Sequence, residues 1–372
     1  MTIYLDHNAT TPVRPEAADA VRDALAHAGN PSSVHGAGRR ARKIVEDARE
    51  QVAALAGARA DDVIFTSGGT EANNLALANA TVDAAVFVSD IEHASVLDAR
   101  PDASRIAVQA DGVVDPAAVD AALKDLNDGR ALVSVMLANN ETGAIQPVAE
   151  IAEVAKRHGA AVHCDAVQAA GKMAVDMKAL GVDMLSLSAH KIGGPQGIGA
   201  LVIRPGFKIS ATHWGGGQER SRRAGTENVP GIAGFGVAAE RALAGIEVFQ
   251  ELALLRDRME AHNLKSAPEA RVFARDVARL ANTSCITMPG ISAKTQVMSF
   301  DLEGFAVSAG SACSSGKVES SHVLKAMGAD TDQLNSALRI SLGWTTTANE
   351  IDQFTAAWTA LYARLGAGSM AA

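Results

Sequence analysis

Between about residues 62 and 205 the sequence alternates short apolar runs of strand length with segments of helical spacing. The runs are Val63–Thr66, Ala85–Ser89, Arg105–Gln109, Leu132–Leu137, Ala160–Cys164, Met184–Ser188 and Ala200–Arg204. Between two of them, Val148, Ile151, Ala152 and Ala155 recur at i, i+3, i+4 and i+7, the spacing of one helix face. An earlier helix shows the same pattern at Ala41, Ile44, Val45, Ala48, Val52 and Leu55. Repeated strand–helix units need crossovers, and crossovers cover both faces of a sheet. The pattern therefore predicts an α/β fold with a mostly parallel, seven-stranded sheet. From about residue 250 a long helix, Phe249–Asn263, is followed by shorter strands, the texture of a second, smaller α+β unit. At 372 residues the chain exceeds the size at which one core stops growing, so two lobes are expected. The Gly/Arg-rich segment Trp214–Thr226 is the main irregular stretch.

Composition excludes several functions. A net charge of −8 and the lack of any Lys/Arg-rich block argue against nucleic acid or anionic membrane as the main partner. No apolar run approaches the 18 or so residues of a membrane span. The start, Met1 to Asp6, lacks the charged and apolar regions of a signal peptide, so a cytoplasmic protein is expected.

One lysine stands out. Lys191 ends the apolar run through Leu187, directly after Ser188-Ala-His190 and before Gly193-Gly-Pro195. A lysine at the mouth of a buried strand can become an amine able to form a Schiff base, and Ser188 and His190 can hold a phosphate. That is the arrangement pyridoxal phosphate (PLP) requires. The bland alternative is a lysine capping a strand end at the surface. His163-Cys-Asp165-Ala-Val-Gln168 lies one helix-and-strand unit earlier. A carboxylate at the carboxyl end of an α/β strand faces the ligand crevice, where Asp165 can pair with a pyridinium nitrogen. Read as a metal fragment, His163 and Asp165 lack a third ligand at recognisable spacing, so no metal is expected.

Weaker signals surround these two. Ser67-Gly-Gly69-Thr70-Glu71 follows a strand and opens a helix, either as a phosphate site or as a plain helix start with Thr70 as cap. His93 follows another strand and can stack on an aromatic cofactor or serve as a structural hydrogen-bonder. Asn139 and Asn140 sit at a strand end. Arg339 alternates with apolar neighbours and, aimed inward, needs an anion: a substrate carboxylate or a buried acid. Of three cysteines, Cys164 and Cys285 lie in strand patterns, whereas Cys313 lies in Ser308-Ala-Gly-Ser-Ala-Cys313-Ser-Ser-Gly316, the composition of a flexible, solvated loop. Three scattered cysteines make no disulfide framework.

Taken in order, the motifs Tyr4–Pro12, Asn30–His35, Thr66–Glu71, Asn139–Gly143, Ser188–Lys191, Gly215–Arg220, Ser311-Ala-Cys313 and Arg339–Gly343 resemble those of the cysteine desulfurases of the NifS/IscS type, within the class V aminotransferases of PLP fold type I. The resemblance implies a large PLP-binding domain over 14–248 and a small domain from 1–13 and 249–372. It implies Lys191 as the Schiff-base lysine, Asp165 at the pyridine nitrogen, Gln168 at the ring hydroxyl and His93 stacked on the ring. Gly69, Thr70, Ser188 and His190 would hold the phosphate, joined by Thr226 from the other subunit of a homodimer. Asn140 and Arg339 would orient L-cysteine. Lys191 would take the Cα proton and Cys313 attack the substrate sulfur, giving L-alanine and a persulfide for an acceptor such as an iron–sulfur scaffold. Val318-Glu-Ser-Ser321 replaces the family's usual Leu-Glu-Pro-Ser, a change that bears on loop stiffness and not on the chemistry. Rival readings are a selenocysteine lyase or small-molecule aminotransferase, or a sulfur carrier without catalysis; the reactive loop cysteine weighs against a transaminase, and Lys191, Asp165 and His93 against a carrier.

Overall fold

The computed structural model describes residues 2–80, 84–124, 126, 131–309 and 320–366. In chain order its strands are β1 Ile3–Tyr4, β2 Val63–Thr66, β3 Ala85–Ser89, β4 Ser104–Ile106, β5 Ala131–Ser134, β6 Ala161–Asp165, β7 Met184–Ser188, β8 Gly199–Ile203, β9 Thr283–Thr287, β10 Phe305–Ala306, β11 Ser308–Ala309 and β12 Ala337–Ser341. Seven of them form the large sheet, in the order β2-β8-β7-β6-β5-β3-β4. Every pairing from β7 to β4 is parallel, and only β8 runs antiparallel to its neighbours β7 and β2. The expected mostly parallel, seven-stranded α/β fold is thus the observed one.

Two strands end earlier than their apolar runs. Past Ser134 the chain leaves the regular ladder, although Val135 and Leu137 still donate to the carbonyls of His163 and Asp165. Past Ile106 the chain turns back on itself, Val108 bridging Val114 around Gly112, whose φ of +83° suits a residue without Cβ. The helix expected over 249–263 runs from Leu252 to Ser266, after a separate short helix, Ile246–Gln250.

The apolar side chains form distinct clusters. The largest joins the helices Gly36–Leu55 and Val229–Ala244 to one face of the large sheet, with Val45, Val52, Phe65, Val133, Val202 and Phe235 all buried. Those two helices approach closely because Gly236 faces Ala48; a Cβ there would lie 2.6 Å from the Ala48 Cα. A second cluster fills the space under the small sheet β11-β12-β9, where Phe300, Phe305 and Phe354 pack with ring centroids 5.0–6.4 Å apart. Leu5 belongs to this second cluster. The N-terminal strand β1 pairs with β10, and His7 and Leu5 exchange backbone hydrogen bonds with Ser341. The first residues of the chain are therefore built into the same layer as its last third. No helix among the described residues is long and apolar enough to cross a membrane.

The segment 214–226, expected to lack regular structure, contains one short turn, Gln218–Ser221. Glu219, Arg220 and Ser221 all have positive φ (45°, 57° and 62°), a conformation costing about 1 kcal/mol or more per non-glycine residue. A buried ion pair offsets it. Arg49 Nη1 and Nη2 reach the Glu219 carboxylate at 2.7 and 2.9 Å, and Glu219 also accepts from the Phe65 N–H. Arg49→Met should leave Glu219 buried without its cation and destabilise the protein by about 3–5 kcal/mol. Urea unfolding checks this, and adding Glu219→Gln should recover part of the loss.

Candidate active site

One pocket, a cavity of about 240 Å³, opens at the carboxyl ends of β5, β6 and β7. Parallel α/β sheets place ligands there because the loops leave the strands in opposite directions on either side of the crevice. Gly69, Thr70, His93, Asn140, Asp165, Gln168, Ser188, His190, Lys191 and Arg339 all line it, together with Asn8 and Asn73. Asn8 and Arg339, 331 residues apart in sequence, are brought within one small volume. Thr226 is not among them: it is exposed and lines a separate cavity beside Phe65 and Arg223. Cys313 lies outside the described residues.

Asp165 ends β6, buried, with both carboxylate oxygens held. Oδ1 accepts from the Val167 N–H at 2.9 Å and Oδ2 from Asn73 Nδ2 at 2.7 Å. The other Asn73 amide hydrogen goes to Ser95 Oγ, whose hydroxyl lies 2.8 Å from His93 Nδ1. The Ser95 N–H also donates to that nitrogen, so Nδ1 is an acceptor and the proton of neutral His93 sits on Nε2. A continuous chain of bonds thus fixes Asp165 and the His93 ring with respect to each other. Asn73 and Ser95 were not legible as site residues, although a polar Asn73 on the otherwise apolar buried face of its helix is the signal that marks it.

Lys191 follows β7, and its Nζ donates to the carbonyl oxygens of Asn8 and Ala9, the latter at 2.7 Å. Asn8 is the hub of the floor. Its N–H donates to Ser341 Oγ, its carbonyl accepts from Lys191 and Gln168, its Oδ1 from Lys172 and Asn282, and its Nδ2 donates to Asn140 O and Thr283 Oγ1. Arg339 projects from β12 at 1% exposure, donating to Asn140 O at 3.2 Å and to Asp6 Oδ1 at 2.7 Å, with Nε unpartnered. Arg339 thus holds a structural ion pair and also lines the pocket.

The phosphate end of the pocket fits a phosphate. Ser188 Oγ is buried and has no partner. Gly69, rather than Thr70, begins the helix Gly69–Ala78, and Thr70 does not cap it. A Cβ on Gly69 would come within 2.9 Å of Val167 and stand 3.5 Å from the Ser188 Cβ, filling the cradle. Helix N–H groups, an orphan hydroxyl and a glycine-cleared space are what an oxyanion group needs. His190 is held well below its ordinary pKa, at about 4, by burial and by the Lys191 charge. It is neutral at pH 7 and can donate to a phosphate from one ring nitrogen. His163, weighed as a metal ligand, has both ring nitrogens bonded to Ser134 and Ser186 hydroxyls.

The two described cysteines are poor nucleophiles. Burial, reinforced by Asp165 and Glu92 for Cys164 and by Glu141 for Cys285, pushes both thiols well above their ordinary pKa. Around the pocket, two buried acids support the loops. Glu92 accepts from Ser89 Oγ and the Met136 N–H, and Glu141 from Ser321 Oγ at 2.6 Å.

A floor that holds a lysine on carbonyls, a carboxylate facing the same cleft and an oxyanion cradle define an α/β enzyme of the PLP type. The chain matches the aminotransferase class-V family over residues 3–354. It is 45% identical to the cysteine desulfurase of Cereibacter sphaeroides, with 94% of this chain and 93% of that protein covered, and 40% identical to the cysteine desulfurase IscS of Dictyoglomus turgidum, covering 94% and 92%. The X-ray structure of a NifS-like protein from Rickettsia africae superposes with a TM-score of 0.91 at 38% identity, covering 97% of this chain and 99% of that one. This chain belongs to the aminotransferase class-V family, in its cysteine desulfurase group, and the family is PLP-dependent.

Burial raises the Glu92 carboxyl to about pH 8 and that of Glu141 to about 7. A carboxyl whose folded pKa is raised binds its proton more tightly in the folded state. Its stabilising contribution is complete below pH 4.5, falls as pH rises, and is lost through pH 7 to 8. The melting temperature should therefore fall between pH 5 and 8.5, and Glu92→Gln, which keeps the oxygen acceptor and cannot ionise, should fall less over the same range.

Proposed function

We propose that this pocket binds pyridoxal phosphate through Lys191 and removes sulfur from L-cysteine, yielding L-alanine and a persulfide on Cys313. The observation that carries the reading is the convergence of Lys191, Asp165 and an unpartnered, buried Ser188 hydroxyl in one crevice. Gly69, Thr70, Ser188 and His190 hold the phosphate, Asp165 pairs with the ring nitrogen, Gln168 donates to the ring hydroxyl and His93 stacks on the ring. When bound, the cofactor supplies an electron sink for charge developing at the substrate Cα. Arg339 and Asn140 orient the substrate carboxylate, Arg339 through its unpartnered Nε.

The Lys191 amine would accept the proton that leaves the substrate Cα. Cys313 thiolate then attacks the substrate sulfur: a sulfur–sulfur bond forms as the carbon–sulfur bond breaks, and its electron pair stays with the alanine skeleton, which is protonated. Cys313 suits this step because Cys164 and Cys285 are buried and their thiols are held protonated. The persulfide passes to an acceptor protein, an iron–sulfur scaffold or another thiolation partner, in the cytoplasm.

The reading includes two lobes, 14–248 and 1–13 with 249–372, supported by the separate apolar clusters. It also includes a homodimer. Thr226 sits away from its own pocket, on an exposed segment pinned by Arg49–Glu219 and by Arg223–Glu71, where it can reach a partner's phosphate.

The purified protein should be yellow, lose that absorbance on borohydride reduction and carry the label on Lys191; a reducible Lys191→Ala variant would sink the assignment. Cys313→Ser should still change its absorbance with L-cysteine yet form alanine slower by a factor on the order of 10³ or more. After L-cysteine, mass spectrometry should find added sulfur on the Cys313 peptide and not on Cys164 or Cys285. Sedimentation should give a dimer, and hybrids of Lys191→Ala with Thr226→Ala protomers should regain PLP affinity.

A further inference from the structure

Lys172 lies beneath the pocket and has no part in the chemistry above. It is 3% exposed, and Nζ donates to Asn8 Oδ1 and Gln168 Oε1, each at 2.7 Å. Both partners are neutral amide oxygens. A side-chain amide in a buried site can be turned over, exchanging its oxygen for its NH₂, unless a neighbour that only donates or only accepts decides the orientation. Lys172 is such a neighbour. Turning Gln168 over would set its NH₂ against the ammonium and its oxygen against the Asn8 carbonyl, with no acceptor at the first contact and no donor at the second.

With Oε1 committed to Lys172, Gln168 keeps Nε2 for the other side. One of its hydrogens goes to the Asn8 carbonyl at 2.9 Å, leaving the second for the pocket that Gln168 lines. The same argument applies to Asn8. Its Oδ1 accepts from Lys172 and Asn282, so its NH₂ must face Asn140 O and Thr283. Because the Asn8 carbonyl also receives Lys191, one buried amine orients both amides that bracket the reactive lysine. Burial, and then the nearby charges of Lys191 and Arg339, hold the Lys172 amine well below its ordinary pKa. A neutral Lys172 would still have two hydrogens for its two acceptors, and the Asn8 and Asn140 carbonyls, which only accept, favour the same amide orientations.

We propose that Lys172 is a positioning residue of the cofactor pocket, locking the Gln168 and Asn8 amides so that Gln168 presents an N–H to the cofactor's ring oxygen. The inference rests on the reading of this pocket as a PLP site at Lys191.

The test is titration of full-length, cofactor-stripped protein with PLP, reading the dissociation constant and the position of the visible band, with kcat and KM for L-cysteine measured on the reloaded enzyme. Lys172→Met should weaken PLP binding about tenfold, the effect of losing one such hydrogen bond. It should also shift the visible band and lower kcat more than it raises KM. Gln168→Met should do the same, and the double variant should be no worse than either single one. Lys172→Gln keeps one donor and should fall between wild type and Lys172→Met in affinity and in band position. It decides the matter alone if Lys172→Met fails to fold by thermal melting. A wild-type band and dissociation constant in Lys172→Met or, in that case, Lys172→Gln overturn the proposal, as do fully multiplicative effects in the double variant. Failure of the wild type itself to take up PLP at Lys191 overturns the pocket reading, and the inference with it.

Discussion

Every polar atom of Asn8, main chain and side chain, is hydrogen-bonded inside the protein. Its partners come from the large sheet's loops (Asn140, Gln168, Lys172, Lys191) and from the small sheet (Asn282, Thr283, Ser341). A buried asparagine is costly unless all its hydrogen-bonding capacity is met, and here meeting it requires both halves of the structure to be in place. The N-terminal segment thus works as a rivet. Leu5 sits in the second apolar cluster, Asp6 neutralises Arg339, Asn8 gathers the pocket floor, and Thr10 reaches His190. Lys191 and Arg339 keep their relative placement because both are bonded to these few residues.

Charge is handled in the same economical way. Four cationic or basic groups (Lys172, His190, Lys191 and Arg339) crowd the pocket, and burial with mutual repulsion drives Lys172 and His190 toward their neutral forms. Arg339 is balanced by Asp6. On the far side, buried Glu92 and Glu141 rise into the neutral range, so that they hold protons rather than uncompensated charge. The remaining carboxylate facing the cleft, Asp165, is bonded by an amide and a main-chain N–H, which orient it. A site organised like this leaves one carboxylate, Asp165, and one amine, Lys191, lining the cleft.

Much of the site was legible in the sequence because parallel α/β folds put chemistry at strand ends, and strand ends can be read from where apolar runs stop. Asp165, Ser188, Lys191 and His93 were found in that way. Asn73, Ser95, Asn8 and Lys172 were not. Most act through a partner distant in the chain, such as Asn73 through Asp165, 92 residues away, or Lys172 through Asn8, 164 residues away. Periodicity reports which face of an element is buried; it carries no record of which polar group on another element waits opposite. For Thr70 the motif left two readings open, phosphate site or helix cap, and only the backbone shows that Gly69 opens the helix and Thr70 does not cap it.

The sequence by itself determined the alternation of strands and helices, the mostly parallel sheet and the lysine–aspartate pair at its carboxyl edge, because these follow from local hydrophobic patterning and from the handedness of strand–helix–strand units. Only the tertiary structure decided that Asp6 bridges Ser341, that Asp6 pairs with Arg339, and that Lys172 meets Asn8. Those placements rest on hydrogen bonds and ion pairs between segments more than a hundred residues apart, whose geometry exists only once both cores have formed.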